Sequence, residues 1–372
     1  MTIVFDDTIT GHHLEYLSHY HALAGRKREE QFLFLLPKEF EKEKHTINWT
    51  DEENITVRYI SDSDMAKCKN GNIFVAAWRK SQLVAKKARK ENAGRVILTT
   101  LIEFMPFLLF FIPNNCILSG IIYRIYLRDN NMSGIRLWLE KLRFFLMARI
   151  HKKSILYILN DKKSVCTLNK EYNTTKFKFL PDPVPNIDIS KAKDIRKELG
   201  ISDNKYIYLH FGGLTERKGT LEILKAILET DEVDLSNKCF IFAGKIYDDI
   251  KEKFYSLYEK ASQKTDILVF DEFCQYGFLY NLCQTCDCIL IPYKMVNLSS
   301  GILGYAAVFN KPVIAPDKGL IGDLVRDNHL GLVLNNVTAA GLSRTIGTPV
   351  IANANDYAIQ NSVESFIQAL SE

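Results

Sequence analysis

Residues 206–228 of the chain are YIYLHFGGLTERKGTLEILKAIL. The first six residues are apolar or aromatic apart from one histidine, which predicts a buried β-strand, and the last eight have the apolar spacing of a helix. Three glycines and the cations Arg217 and Lys218 lie between these segments. Because the start of a helix offers free amide groups and a favourable dipole, cations at this point indicate a site for a diphosphate.

The same alternation of apolar strands and helices runs through the whole chain. In the first half, strands are predicted at Thr2 to Asp7, Gln31 to Pro37, Ile55 to Ile60, Ile73 to Ala77, Arg95 to Thr100 and Ser154 to Leu159. In the second half they are predicted at Tyr206 to Phe211, Cys239 to Ala243, Ile267 to Asp271, Cys288 to Pro292, Pro312 to Ala315 and Gly331 to Leu334. Strands that are apolar throughout and separated by helices indicate parallel sheets covered on both faces, so the predicted fold class is α/β.

The chain is long enough for two domains. Its 372 residues exceed what one hydrophobic core usually organises. The proline-rich PDPVPN, Pro181 to Asn186, favours a semi-rigid connector. We predict an N-terminal Rossmann-like domain over residues 1–182 and a C-terminal one over 183–350. A terminal segment, 351–372, is helical in pattern from Asn355 to Leu370 and is predicted to pack back toward the N-terminal domain.

A second candidate phosphate loop runs from Pro292 to Gly301, PYKMVNLSSG. It lies beyond the carboxyl end of a predicted strand, where ligands bind in open parallel sheets. The hydroxyls of Ser299 and Ser300 can cap the following helix, and Gly301 leaves its amide open to phosphate oxygens.

The loop after the first strand, Gly11-His12-His13, is a third candidate site. Glycine allows a ligand to approach the backbone closely, and the next helix starts there. We interpret His12 or His13 as a contact to the acceptor or to the donor phosphates. The alternative is a tight turn with a surface histidine.

From Pro181 to Leu334 the chain resembles the donor domain of the retaining glycosyltransferases of family 4. The matching stretches are the turn Gly212 to Gly219, the strand and glycine Phe240 to Gly244, the loop Tyr293 to Gly301 and the block Ala307 to Gly319. The opening Gly11 to Tyr16 resembles the acceptor-side loop of the same enzymes. The resemblance implies the GT-B fold, in which two Rossmann-like parallel-sheet domains face a cleft.

The resemblance also implies the site residues. The implied donor-binding residues are Gly212, Gly213, Gly244, Lys245, Glu272, Phe273, Tyr293, Ser299, Ser300, Gly301 and Tyr305. Lys218 and Arg217 are the expected catalytic cations, because charge develops on the leaving nucleoside diphosphate. Gly11, His12 and His13 are expected to bind the acceptor.

We therefore expect a hexosyltransferase that moves a sugar from a nucleotide-sugar to a glycan or lipid-linked acceptor in cell-surface polysaccharide synthesis. The resemblance implies retention of configuration. We expect no metal and no cofactor, because the nucleotide-sugar is a substrate. The eight irregularly spaced cysteines fit reduced, structural thiols.

The chain departs from the family pattern at three positions. Gly213 replaces a usual arginine, and Asn297 and Tyr305 stand where the family carries two glutamates, the second of which holds the donor ribose. One alternative is therefore a catalytically silent GT-B binding partner in a glycan-assembly complex. Another is a sugar-nucleotide epimerase or phosphorylase on the same fold.

The distribution of positive charge favours a membrane surface over nucleic acid. The formal net charge is only +4, yet basic residues are dense from Arg79 to Lys153, around the apolar run Phe104 to Pro113. They are mixed at helical spacing with the apolar residues Ile121, Ile122, Tyr126, Leu137, Trp138, Phe144 and Phe145. Such a segment either rests on an anionic membrane or is a core helix with a solvated basic face. With no secretory signal at the start, we expect a cytoplasmic protein, peripheral on the inner face of the membrane.

Overall fold

The computed structural model describes residues 1–9, 12–47, 49–129, 131–184 and 188–371. The chain divides into two compact units, which we call unit 1 (Met1–Pro181 with Phe366–Glu372) and unit 2 (Asp182–Ser365). Of the predicted connector, Pro185 and Asn186 lie outside the described residues. Among the described residues, no helix is both long and apolar enough to cross a bilayer.

Unit 1 is built on a seven-stranded parallel sheet with the order β3-β2-β1-β4-β5-β6-β7. Its strands are β1 Thr2–Phe5, β2 Phe32–Leu36, β3 Ile55–Tyr59, β4 Arg95–Leu98, β5 Ile117–Ile122, β6 Ser154–Leu159 and β7 Phe177–Leu180. Its helices are α1 His12–Arg26, α2 Phe40–Glu43, α3 Asp62–Lys69, α4 Ile73–Lys90, α5 Leu108–Phe111, α6 Gly134–Arg149 and α7 Lys162–Glu171. The order reverses direction after β3, so β1 and β4 are neighbours at the point where ligands bind in such sheets.

Unit 2 contains a six-stranded parallel sheet with the order β10-β9-β8-β11-β12-β13. Its strands are β8 Tyr206–Phe211, β9 Lys238–Ala243, β10 Asp266–Phe270, β11 Cys288–Leu290, β12 Val313–Pro316 and β13 Gly331–Leu334. The helices are α8 Thr220–Glu229, α9 Glu232–Leu235, α10 Asp248–Ala261, α11 Tyr276–Thr285, α12 Ile302–Val308, α13 Gly319–Asp327, α14 Ala339–Ser343, α15 Asn355–Gln360 and α16 Val363–Ser371. The last of these ends in unit 1.

The predicted α/β class and the two parallel sheets are confirmed, but one predicted strand is wrong. Residues Ile73 to Ala77 begin α4, whose first turn is capped by the Asn72 side chain accepting from the Val75 amide at 3.0 Å. Ile73 and Phe74 are exposed there, so their apolar character does not reflect a buried strand.

Two strands were not predicted from the sequence, β5 and β7. Ile121 and Ile122, interpreted as part of a surface helix, are instead buried in β5. Gly120 interrupts the apolar pattern of β5 because a Cβ at that position would lie 2.8 Å from the Leu98 carbonyl oxygen.

The C-terminal segment predicted as one helix is two. The break falls at Asn361 and Ser362, after which α16 brings Phe366 against the rings of Tyr16, His19 and Tyr20 on α1. Arg95 donates to the Leu370 carbonyl at 3.2 Å and Tyr157 to that of Ala369 at 3.3 Å. The end of the chain is thus part of the unit 1 core.

His19 makes unit 1 sensitive to acid. Its imidazole is buried against Phe366, and burial lowers its pKa from 6.5 to about 4. In this pH range the unfolded state binds a proton at His19 that the folded state does not bind. The free energy of unfolding of unit 1 should therefore fall by about 1.4 kcal/mol per pH unit as the pH falls from about 6.5 to about 4. We predict that His19→Leu removes this part of the acid sensitivity. Urea unfolding followed by tryptophan fluorescence at several pH values checks it.

The three tryptophans, Trp49, Trp78 and Trp138, all lie in unit 1. Their fluorescence therefore reports the unfolding of unit 1 and not that of unit 2, which contains the similarly buried His210. His45→Leu, at an exposed site, serves as the matched control. An unchanged slope in His19→Leu would show that other groups set the acid sensitivity.

Candidate functional site

The turn between β8 and α8 places Lys218 at the carboxyl edge of the second sheet. Its ammonium lies 5.5 Å from the centroid of the Tyr293 ring, and a Cβ on Gly212 would come within 2.7 Å of the ammonium nitrogen. Burial, and to a lesser degree the charge of Arg217, lowers the pKa of Lys218 to about 8. No described carboxylate forms an ion pair with this half-buried cation. An anion bound beside Lys218 would offset the free-energy cost of burying its charge.

Lys294, a second lysine of the same region, differs from Lys218 because carboxylates compensate its charge. It forms ion pairs with Glu216 and, at 3.0 Å, with Glu222. Its amide donates to the Arg217 carbonyl at 2.9 Å, which joins the two loops. Arg217 itself is exposed. Lys218 is therefore the inner cation of the turn, and no carboxylate in the described part of the chain pairs with it.

Two glycines allow the loops to meet. Gly219 has a φ of 70°, and a Cβ there would lie 2.0 Å from the Pro292 carbonyl oxygen. Gly244, after β9, has a φ of 138°, and its Cβ would lie 2.1 Å from the Gly212 carbonyl oxygen. Any side chain at either position would push the turn away from its neighbour. Gly212, Gly219, Gly244 and Tyr293 are thus brought together around Lys218.

The loop between β11 and α12 differs from its prediction. Neither predicted serine caps α12, because the residue at the cap position, Gly301, has no side chain and no side-chain cap bond forms. Ser299 instead donates to the Asp182 carboxylate at 2.6 Å, and Ser300 lies 3.5 Å from the Tyr293 hydroxyl. Sequence spacing could not indicate the Asp182 contact, which joins residues 117 positions apart.

Tyr305 packs among aromatic side chains. Its ring lies 5.4 Å from that of Phe211, edge to face, and 6.1 Å from that of Tyr280. Its place near a ribose stays a prediction.

The remaining predicted donor residues follow β9 and β10. Lys245 lies 3.5 Å from the Asp271 carboxylate and shares it with Lys251, which is nearer at 2.8 Å. Glu272 and Phe273 are exposed, and 80% of the Phe273 surface is open to solvent. Tyr247, which was not predicted as a site residue, lies over Gly213, and a Cβ at position 213 would be 3.1 Å from the Tyr247 ring.

Unit 1 carries its own group of polar side chains at the carboxyl edge of β1. His13 Nδ1–H donates to the Asp6 carboxylate at 2.8 Å, and the Asp6 side chain is fully buried. Gly11 lies outside the described residues; His12 begins α1, and its side chain is likewise outside the description.

Four neighbours of His13 were missed from the sequence: Asp6, Asp7, Lys80 and Glu103. Lys80 lies 2.7 Å from Asp7 and 2.7 Å from Glu103, and only 14% of its side chain is exposed. The adjacent Asp6 and Asp7 directly after a predicted strand were the available signal, because that is where ligand contacts concentrate.

Comparison with known proteins shows which solved structures have a similar fold. No protein-family model matches the chain, and no curated protein matches it. Among solved structures, HepE from Anabaena in complex with UDP and glucose is 17% identical, with a TM-score of 0.68 over 100% of this chain and 98% of that one. WaaG, a glycosyltransferase involved in lipopolysaccharide biosynthesis, is 14% identical, with a TM-score of 0.65 over 99% and 94%. Sucrose-phosphate synthase from Thermosynechococcus elongatus is 12% identical, with a TM-score of 0.66 over 99% and 94%.

These proteins share a two-domain Rossmann-like architecture. The predicted GT-B fold of this chain is therefore confirmed. At such identities the likeness is one of fold.

The contact between Ser299 and Asp182 generates a prediction. If Ser299 lies beside a bound diphosphate, the Asp182 carboxylate repels that diphosphate. Asp182→Asn should then tighten UDP binding by about 1 kcal/mol, or roughly fivefold. Calorimetric titration with UDP measures the change, and Asp203→Asn, at an exposed site of unit 2, is the control. An unchanged or weaker affinity would remove Ser299 from the phosphate site.

Proposed function

We propose that this chain is a glycosyltransferase that moves a sugar from a nucleotide-sugar to a glycan or lipid-linked acceptor in cell-surface polysaccharide synthesis. The observation that carries the proposal is Lys218, a half-buried ammonium without an ion pair in the described part of the chain. It lies at the carboxyl edge of the unit 2 sheet, where dinucleotide and nucleotide ligands bind in doubly wound folds. The UDP and glucose bound by HepE and the lipopolysaccharide role of WaaG support it.

The proposed chemistry is displacement of a nucleoside diphosphate. Negative charge grows on the leaving oxygen as the bond to the anomeric carbon breaks, and a cation already in place stabilises it. We assign that role to Lys218, with Arg217 as an outer cation. The proposed reaction uses these cations in place of a metal, transfers a hexose, and retains configuration as the family resemblance implies.

A catalytically silent partner is the second candidate, because Asn297 and Tyr305 replace the two glutamates of the family pattern. Such a protein would bind a nucleoside diphosphate without turnover. Incubation with UDP- and GDP-sugars, with release of the diphosphate as the readout, separates the two hypotheses. Release supports the transferase, and tight binding without release supports the silent partner.

Lys218 gives the sharpest prediction for the donor site. Lys218→Ala should weaken UDP binding by roughly 1.5 to 3 kcal/mol, about ten- to a hundredfold, because one charge-assisted contact is lost. Turnover should fall at least as much. Calorimetry and diphosphate release measure both effects.

Lys197→Ala, an exposed lysine of unit 2 outside the turn, is the matched control and should change neither. Wild-type UDP affinity in Lys218→Ala would contradict the proposed donor site.

We also propose that unit 1 rests on an anionic membrane through α6. Five apolar side chains on one helical stripe of α6 are exposed: Ile135, Trp138, Leu139, Leu142 and Phe145. The opposite face packs into the unit 1 core through Phe144 and Met147. An exposed apolar stripe of this size marks an interaction surface.

The charges beside the α6 stripe favour anionic lipid as its occupant. Arg136, Lys141 and Arg149 are exposed on the same helix, whereas its only acidic residue, Glu140, is paired with Arg143 at 2.8 Å. An exposed aromatic and aliphatic stripe with basic flanks is typical of interfacial helices. The membrane-binding segment predicted from Arg79 to Lys153 is therefore restricted to α6, because Ile121, Ile122, Tyr126 and Phe144 are buried.

The double variant Ile135→Ala/Trp138→Ala should bind anionic vesicles at least about tenfold more weakly, because two side chains no longer enter the interface. Their exposures of 79% and 61% mean that the fold should not be disturbed. Sedimentation with phosphatidylglycerol vesicles at low and high salt measures binding. Ile351→Ala/Ile359→Ala, two exposed residues of unit 2, is the control. Equal binding of the wild type to neutral vesicles, or unchanged binding of the α6 variant, would contradict the proposal that α6 binds anionic lipid.

A further inference from the structure

A cavity of about 260 Å³ opens at the carboxyl edge of the unit 2 sheet, at the ends of the neighbouring strands β11, β12 and β13. The Leu320 amide donates to the Val296 carbonyl at 2.8 Å, which joins the segment after β11 to the one after β12. The Asp317 amide donates to the Leu334 carbonyl at 2.8 Å, which joins the segment after β12 to the end of β13. Main-chain contacts therefore hold the three walls of the cavity together.

This cavity is distinct from the candidate phosphate site around Lys218. The two share Tyr293, whose ring centroid lies 5.5 Å from the Lys218 ammonium and whose side chain also lines the cavity. Lys218, Gly212 and Gly219 do not line it. Pockets for drug-sized ligands start at about 300 Å³. A cavity slightly below that size suits a ligand of one ring and is too small for a nucleotide-sugar.

The charges of the lining favour an anionic group on the ligand. Lys294 and Lys318 line the cavity, and no described carboxylate does so. Lys294 is neutralised by its two glutamate partners. Asp317, the neighbour of Lys318 in sequence, pairs with Arg326 instead. Within the described residues Lys318 has no ion pair, so the cavity offers one cation to a ligand.

The uncharged part of the lining suits a sugar ring. Asn335 and Asn336 are exposed, and neither side-chain amide makes a hydrogen bond in the part of the chain that the structure describes. Each amide can donate and accept, as a hydroxyl does, so the two can bind sugar hydroxyls. Val296, Pro316 and Leu334 supply apolar surface on which the C–H groups of a sugar can pack.

We propose that this cavity binds a monosaccharide that carries one anionic group, a phosphate or a carboxylate. The anionic group pairs with Lys318, the hydroxyls bond to the amides of Asn335 and Asn336, and the ring packs on the apolar residues. Inorganic phosphate would leave the apolar surface uncovered, and a neutral sugar would leave Lys318 without a partner. The site lies wholly within unit 2 and does not depend on the proposed transferase function.

The test uses the full-length chain and saturation-transfer NMR, with glucose 6-phosphate, glucuronate and glucose as probes. At least one of the two anionic sugars should bind about fivefold more tightly than glucose, because glucose has no charge to pair with Lys318. The tighter of the two identifies the anionic group. Absence of binding by both anionic sugars would overturn the proposal. Displacement of the bound sugar by an equal concentration of inorganic phosphate would overturn the assignment of a sugar.

Two variants at exposed positions test the residues of the cavity. Lys318→Ala should weaken binding of the anionic sugar roughly fivefold and leave that of glucose unchanged, because only the charged contact is lost. Asn335→Ala/Asn336→Ala should weaken binding of the anionic sugar and of glucose alike, because both offer hydroxyls. Lys197→Ala, at another exposed lysine of unit 2, is the matched control and should bind as the wild type does. Wild-type affinity in Lys318→Ala would contradict the proposed site.

A comparison with UDP separates the cavity from the candidate phosphate site. Saturating UDP should not displace the anionic sugar, and Lys218→Ala should bind that sugar as the wild type does. Displacement by UDP together with lost binding in Lys218→Ala would mean that the sugar occupies the phosphate site, and the proposal would be overturned while Lys218 remained an anion site. Conversely, a chain that binds the sugar through Lys318 but releases no diphosphate from any donor would retain the cavity site and lose the transferase function.

Discussion

The candidate phosphate site depends on close backbone contact between loops of unit 2. The main chain at Gly244 touches that of Gly212, and the main chain at Gly219 touches that of Pro292, at distances that no side chain would permit. These contacts tie the ends of β8, β9 and β11 together. Lys218 belongs to one of the joined loops and lies over Tyr293 of another. The position of the ammonium is therefore set by backbone packing, which is rigid, rather than by a carboxylate partner, which would neutralise it.

Much of this arrangement could be predicted from the sequence, because strand, turn and helix are contiguous there. The bounds of β8 agree with the prediction, and the glycines and Lys218 lie between β8 and α8 as expected. Local patterns fail where burial is decided from a distance. The apolar run from Ile73 reads as a strand, yet it starts an exposed helix turn.

The polar group at the carboxyl edge of β1 was harder to predict, because its residues come from separate segments. Asp6 and Asp7 follow β1, Lys80 lies in α4, and Glu103 follows β4. They meet only because β4 pairs with β1, which depends on the strand order and not on any local motif. The contact of Ser299 with Asp182 likewise joins segments that are distant in sequence. A single sequence indicates which residues can carry chemistry, but pairing across a sheet decides which of them act together.

The two sheet edges differ in charge, and the difference separates their chemistry. In unit 2 the inner cation Lys218 has no ion pair among the described residues, while the neighbouring Lys294 is matched by Glu216 and Glu222. In unit 1 the inner group is acidic, and its cation Lys80 is held between two carboxylates. Burial of a charge without a partner lowers the stability of the fold. A buried cation of this kind therefore indicates a place where a ligand supplies the opposite charge. At the unit 2 edge an anion would supply that charge, whereas at the unit 1 edge the carboxylates of Asp7 and Glu103 already pair with Lys80.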